Sequence, residues 1–551
     1  MRRAFFLLIL FSVAVASFAD VDGQYWVEGD RIFPPFETIY ISDGLKESWA
    51  ASDQLDWVIG RKDILDRLNP IWINSTRQFS AAPWLYEGRG LWTVLVDGVV
   101  FRSLLLPSLA QDYVRSLDPA LIDSVELEYG GDSGLYGYNS ALGAVGVSLP
   151  RASFSDRLGG ASELFGRAST LEREESAWWR ASLFSPNLSA LGEIAGRRWE
   201  NDDSDTLTRE QFIGVFGQPS SSLNSSFSFL ARHLNNLESD VISSDFDSQQ
   251  ASLDLDYKRA ASGLTDIHFA LLGVNLEDGE DPVNSVERWQ WVGGRALSGF
   301  EAGRMFRTVV GFDGFWERAD YDEVRSGEDK ADAASGAGFM LLELKPAEKF
   351  ELVPGFRYDV ARDEDEQYEF VSPSLKISYA ASDIWNFIAS YDHSNGGNNE
   401  HEEAWDSWKF GVKITDERVR AVAGVGYIDS EKDSPYSFGR MRIFLGYNWR
   451  FDFSSAWVRW DEDDNNLFGH CAVRFAGTEH DWWVEWISMY AANRELSGFF
   501  WRHDLFARFQ FFRYLSLRAG VENLLDRRYR IELMKFEPRN YKFQLEFAFE
   551  I

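Results

Sequence analysis

Residues 541–551 read YKFQLEFAFEI. Tyr541, Phe543, Leu545, Phe547, Phe549 and Ile551 take the odd positions; Lys542, Gln544, Glu546, Ala548 and Glu550 take the even ones. Successive strand side chains point to opposite faces, so the segment predicts a strand with one apolar and one polar face. The same period of two runs through ASLDLDYK (251–258), where Ala251, Leu253, Leu255 and Tyr257 oppose Ser252, Asp254, Asp256 and Lys258. LSLRAGVEN (515–523) and LFGHCAVRF (467–475) repeat it, with Cys471 on the apolar face and His470 on the polar one.

A soluble β-sandwich alternates in the same way. The connections separate the two architectures. Short turns at Pro186-Asn187, 260–263, 346–349 and 381–383 alternate with acidic stretches at 200–207, 277–284, 362–369, 394–403 and 461–466. Short turns on one side and longer loops on the other mark a transmembrane barrel. From residue 155 onward roughly 22 strands fit, an even number that returns the C-terminus to the short-turn, periplasmic side. A barrel of that size has a lumen wide enough to need a plug. Trp178, Trp179, Trp199, Trp316, Trp460, Trp482, Trp486 and Tyr490 sit near strand ends, as interfacial girdles require.

The bulk composition narrows the function. Lys+Arg number 55 against 87 Asp+Glu, a net charge of −32, which repels nucleic acid. Aromatic residues are 15% of the chain, far from the composition of a disordered acidic protein. Cys471 is the single cysteine, so the chain has no intramolecular disulfide and no cysteine-cluster metal site. Arg2 and Arg3 precede an apolar run that ends in Ser17-Phe18-Ala19, a small-x-small cleavage site. Residues 1–19 therefore read as a signal peptide, and export follows.

Residues 44–151 are mixed. TVLVDGVV (93–100) is a strand broken by Asp97-Gly98, a hairpin turn signal, and 106–129 reads as a short helix followed by a strand. The stretch ELEYGGDSGLYGYNSALGAVGVSLPR (126–151) is glycine-rich and shows no helical period. Its Gly131-Asp132-Ser133-Gly134 matches the tetrapeptide around a chymotrypsin-like nucleophile, but that order needs an earlier histidine and the first is His233. A phosphate loop needs a Gly-Lys-Ser/Thr step, and the stretch has no lysine. A turn-rich linker also fits these residues.

The motifs resemble a known family. Val125-Glu126, Gly130, Ser133, Leu135-Tyr136-Gly137, Ala141-Leu142-Gly143 and Val145 resemble the end of the plug domain of TonB-dependent outer-membrane receptors. TVLVDGVV, with Asp97 and Gly98, resembles a second plug segment, Arg89-Gly90 lies near the family's Arg-Gly pair, and VENLLDRRY (521–529) resembles the signature before the last barrel strand. Two positions depart: Tyr129 stands where the family carries an arginine that helps hold the plug against barrel glutamates, and Gly131 replaces a proline. Glu37, Thr38, Ile39, Tyr40 and Ile41 resemble the family's TonB box; physically they form a β-prone segment able to add an edge strand to a partner sheet. The alternative is that they form the first plug strand; position and pattern together favour the box.

The resemblance implies an all-β transmembrane barrel of about 22 antiparallel strands with a small N-terminal α/β plug domain inside it. The implied boundaries are 1–19 signal peptide, 20–43 periplasmic segment with the coupling box, 44–151 plug and 152–551 barrel. It implies a monomeric receptor in the outer membrane of a Gram-negative-type bacterium. Its partners would be a TonB-type energy-transducing protein, outer-membrane lipids and a small ligand such as a ferric siderophore or cobalamin. A passive or gated pore is the alternative. A barrel-borne lipase or protease lacks a motif, since the seven histidines are scattered. His393, Glu400, His401, Glu402 and Glu403 could bind a metal, but a solvated acidic loop explains them as well. No cofactor is implied.

Overall fold

The computed structural model describes residues 46–50, 92–106, 124–129, 133–137, 143–149, 154, 158–169 and 175–550. Within the last span, 201–204, 221–222, 239–242, 259–263, 281–284, 302–304, 324–329, 364–365, 396–403, 417, 430–433, 447, 460–464, 478–481, 494–497, 513–514, 526–529, 532–533 and 536–539 are excepted. The leader, the 20–43 segment and the helix expected before residue 124 lie outside these residues.

Each barrel strand pairs antiparallel with its sequence neighbours, from Gly159–Ser169 through Leu515–Glu522. The strand Asn540–Glu550 then pairs with both Leu515–Glu522 and Gly159–Ser169, and 22 strands close. The opening segment YKFQLEFAFEI thus forms the closing stave. Its Phe547 is in register with Leu515 on one side and Leu164 on the other.

The alternation is inverted relative to a soluble protein. On Ser243–Lys258, Ser252 and Asp254 are buried toward the lumen, while Leu253, Leu255 and Tyr257 stand exposed on the outside. Phe306, Phe312 and Trp316 do the same on Phe306–Glu323, and Phe312 is 68% exposed. A sandwich would bury these residues between its sheets. An apolar coat over a polar interior suits hydrocarbon outside and water inside. From Phe306 to Trp316 the strand advances about 33 Å, or about 25 Å along the barrel axis at the usual tilt, the height of a barrel's apolar band. Beyond that band the outward residues become charged, as in the Arg318–Asp320 pair at 3.1 Å. Among the aromatic residues read as girdle, Trp179, Trp316 and Trp486 are exposed.

Inside, charges meet across neighbouring strands: Arg180–Glu193 at 2.7 Å, Arg232–Glu210 at 2.9 Å, Arg442–Asp452 at 2.6 Å and Arg474–Glu485 at 3.1 Å. Where both partners are buried, as in Arg232–Glu210, stranding one would cost about 3–5 kcal/mol.

The turns at 185–187, 348–349 and 381–384 fall at one barrel end, and the strand ends Glu200 and Asp205, Asp363 and Glu366, and Arg459 and Asn465 at the other. Much of the acidic sequence expected in loops is strand instead: 205–207, 277–280, 362–363, 366–369 and 465–466 continue the ladders. These strands run past the apolar band, so Arg362 and Glu369 are exposed without leaving the ladder.

Among the described residues the plug is a five-stranded sheet. Its strands are β1 (Lys46–Ala50), β2 (Trp92–Val96), β3 (Val99–Phe101), β4 (Ser124–Tyr129) and β5 (Gly143–Ser148), in the order β1-β4-β5-β2-β3. Only β2 and β5 run parallel. The β2–β3 turn is Asp97-Gly98, with φ of 48° and 81°. Positive φ at both central residues is the hairpin turn that matches strand twist. A one-turn helix, α1 (Ser133–Tyr136), follows β4, inside the stretch that shows no helical period.

The apolar coat sets a test. Phe312→Arg puts a guanidinium in the apolar band and should cost ~2–4 kcal/mol, whereas Asp247→Arg, at an exposed rim position, should cost about 0–1 kcal/mol. Reversible urea unfolding from lipid vesicles measures both.

Candidate functional site

The functional surface is the seam between plug and barrel wall. It begins with an apolar contact: Leu95, Val100, Leu135, Tyr136 and Ala144 of the plug pack with Leu297, Val309, Phe339, Leu341 and Val353 of the wall. Phe101 at the end of β3 meets Trp291 edge-on at 4.9 Å and Trp289 at 6.1 Å. The indole N–H of Trp291 donates to the Arg102 carbonyl at 2.8 Å.

Two polar clusters flank this contact. In the first, Glu317 is fully buried on a barrel strand. Its Oε2 accepts from Ser103 Oγ at 2.5 Å and Trp289 Nε1 at 3.0 Å; its Oε1 accepts from the Leu104 and Leu105 N–H groups at 2.6 and 3.1 Å. Ser103 Oγ in turn accepts from the Leu106 N–H at 2.7 Å. The segment 103–106 therefore wraps a carboxylate with donors, which is how a buried charge is tolerated.

The second cluster centres on Arg357, also fully buried. Its guanidinium donates to both Asp313 oxygens at 2.6 and 2.7 Å and to Asp359 at 2.8 Å. It also donates to the Leu135 carbonyl at 3.1 Å, and Arg295 donates to the same oxygen at 3.1 Å. That oxygen belongs to α1, whose last carbonyls have no partner within the helix. Arg295 also lies 5.6 Å from the Tyr136 ring, and the Phe339 ring sits 5.3 Å from both guanidinium groups. Ser394 donates to the Gly137 carbonyl at 3.3 Å. From the plug, Arg102 reaches the Tyr136 carbonyl at 3.4 Å and Asp359 at 3.5 Å.

The sequence-derived plug residues divide into three groups. Tyr136 and Gly137 sit in the Arg357 cluster, with Ser133 opening the helix that delivers them. Asp97 and Gly98 form the hairpin turn; Asp97 accepts from the Leu149 N–H at 2.9 Å, tying the turn to the end of β5. Gly98 approaches His268, which lies 3.5 Å from Asp254. Glu126, paired with Ser48 and Gly146, and Gly143, paired with Trp92 and Tyr129, belong to the sheet interior. Glu37, Thr38, Ile39, Tyr40, Ile41, Arg89, Gly90, Gly130 and Leu142 lie outside the described residues.

Sequence reading missed Arg102, Ser103, Trp289, Trp291, Arg295, Asp313, Glu317, Arg357 and Asp359. The period of two places Asp313 with Glu317, and Arg357 with Asp359, on one face. It does not supply the cross-strand register that makes them a cluster.

Gly137 is constrained twice. Its φ is +79°, and a Cβ there would stand 2.6 Å from Arg357 Nε and 2.9 Å from Asp359 Oδ1. Gly137→Ala should therefore weaken plug seating by about 1–3 kcal/mol while the barrel remains closed. Hydrogen exchange should report faster exchange at 133–137 than in the wild type and unchanged exchange in strand Ser285–Glu301.

No protein-family model and no curated protein matches the sequence. Solved structures do. The siderophore receptor PirA from Pseudomonas aeruginosa is 14% identical, with a TM-score of 0.70 over 93% of this chain and 100% of that one. A variant of the ferric enterobactin receptor PfeA from Pseudomonas aeruginosa, in complex with enterobactin, is 11% identical, with a TM-score of 0.73 over 92% and 99%. The FrpB iron transporter from Neisseria meningitidis is 11% identical, with a TM-score of 0.69 over 83% and 92%.

Proposed function

We propose that this chain, which has the fold of the TonB-dependent receptors, is an energy-coupled outer-membrane receptor that imports a scarce small ligand. The observation that carries the reading is a wide barrel, apolar outside, whose lumen holds a folded plug bonded to the wall through Glu317 and Arg357. That PirA and PfeA are receptors and FrpB a transporter supports a non-enzymatic role.

The ligand class is a ferric siderophore, cobalamin or a similar molecule too large for simple diffusion. PirA and PfeA are siderophore receptors and FrpB an iron transporter, which supports the first of these. The coupling partner is a TonB-type periplasmic protein that pairs with Glu37–Ile41 as an added strand. The chain acts as a monomer in the outer membrane of a Gram-negative-type bacterium, with residues 1–19 removed on export.

Orientation follows from the ends of the barrel. With Cys471 changed to Ser, Asn465→Cys should react with an impermeant thiol reagent on intact cells and Ser382→Cys should not. The reverse labelling inverts the topology.

Coupling is tested separately. Ile39→Pro removes one backbone donor from the segment that would pair with the partner. Ligand binding at the cell surface should persist while accumulation falls to background. Normal accumulation would discard the coupling assignment, and lost binding would make the segment part of the plug sheet.

A further inference from the structure

The contacts that seat the plug have a consistent polarity. The barrel contributes charged side chains, Glu317, Arg295 and Arg357, and the plug meets them largely with backbone: the N–H groups of Leu104 and Leu105 and the carbonyl of Leu135. Tyr129 ends β4, between β1 and β5 in the plug sheet, while the hydrogen bonds to the wall are made from 102–105, Leu135 and Gly137. Arg102 brings a plug charge into the cluster, bridging the Tyr136 carbonyl and Asp359.

We infer that the barrel is a preorganised latch that reads the backbone of the plug: Arg357 and Arg295 hold the Leu135 carbonyl, Glu317 holds the 104–105 amides, and Arg102 joins the two plug segments so that they seat and release together.

Preorganisation comes from the barrel itself. Asp313 and Asp359 fix Arg357 from two strands with bonds of 2.6–2.8 Å, independently of the plug. A group already held in its bonding geometry spends little entropy on its partner. At Arg357 release is correspondingly cheap in charge terms, whereas Glu317 gives up the Ser103, Leu104 and Leu105 donors and keeps Trp289. When the Leu135 carbonyl leaves, Arg357 keeps both carboxylates, so no buried charge is stranded. Arg102, the plug charge in the cluster, does part from Asp359 on release, but across a longer contact of 3.5 Å.

The latch also requires one backbone conformation. A carbonyl has two acceptor lone pairs, and Leu135 uses both on arginines. The left-handed Gly137 then turns the chain so that its own carbonyl meets Ser394. A shift of one residue along the chain would bring a differently directed carbonyl to the guanidinium pair.

This inference rests on the receptor reading for its purpose, but its test does not. Purified full-length protein in planar bilayers is assayed for ionic current, without ligand or energy source. Replacing the amide between Leu135 and Tyr136 by an ester weakens the Leu135 carbonyl as acceptor and leaves every side chain in place. Open events should rise about tenfold, the factor given by ~1.4 kcal/mol. Arg357→Met with Asp313→Asn and Asp359→Asn removes the guanidinium without leaving its two carboxylates unpaired. It should open the pore at least as often, with heat-modifiable gel mobility confirming a folded barrel. An ester protein as silent as the wild type overturns the latch, whether or not the triple variant conducts. A silent ester protein with normal ligand uptake overturns the latch alone; wild-type accumulation by Ile39→Pro overturns the coupling alone.

Discussion

Every backbone N–H and C=O that faces hydrocarbon must be paired within the protein, because lipid offers no partner. An open sheet cannot meet that condition at its edges; a closed one can. Pairing of Asn540–Glu550 with Gly159–Ser169 therefore decides the rest of the architecture. Once the sheet is closed, each strand has one face toward lipid and one toward the lumen. Apolar and polar residues sort accordingly, with Leu253 and Phe312 outward and Asp254 and Glu317 inward.

A polar lumen then determines how a plug can be held. Area burial alone would be weak against a wall of charged side chains, so the apolar contact around Phe339 and Leu341 is flanked by hydrogen-bonded clusters. Those clusters obey the rule for buried charge. Glu317 accepts from four donors, and Arg357 is matched by two aspartates. The aromatic side chains Trp289 and Trp291 combine both roles, since each packs on Phe101 and donates its indole N–H.

Much of this was readable from the residues. The period of two in 251–258 gave strand and facing, because alternation is a local property. Asp97-Gly98 gave the hairpin, because a turn with two positive φ angles has few chemical solutions. Leu135-Tyr136-Gly137 was found through resemblance, and its position against Arg357 was not. A register between strands 40 or more residues apart in sequence, as between Asp313 and Arg357, is set by the whole ladder. The acidic stretches misled for a physical reason: charge reports solvent, and a strand that outruns the membrane is solvated while still in the sheet. The helix 133–136 escaped because one turn is too short to display a helical period.

Closure has a consequence in time. The first and last staves, Gly159–Ser169 and Asn540–Glu550, stand at opposite ends of the barrel sequence, so the sealing ladder forms only after the whole chain has been made. Contacts of such long sequence separation pay their loop entropy before any reward, which makes them slow. Until then two bare edges are exposed, each able to template pairing with another chain. Until the seam closes, those edges are the part of the chain that has to be kept from other strands. The same seam that removes every edge from the finished barrel makes assembly its most aggregation-prone stage.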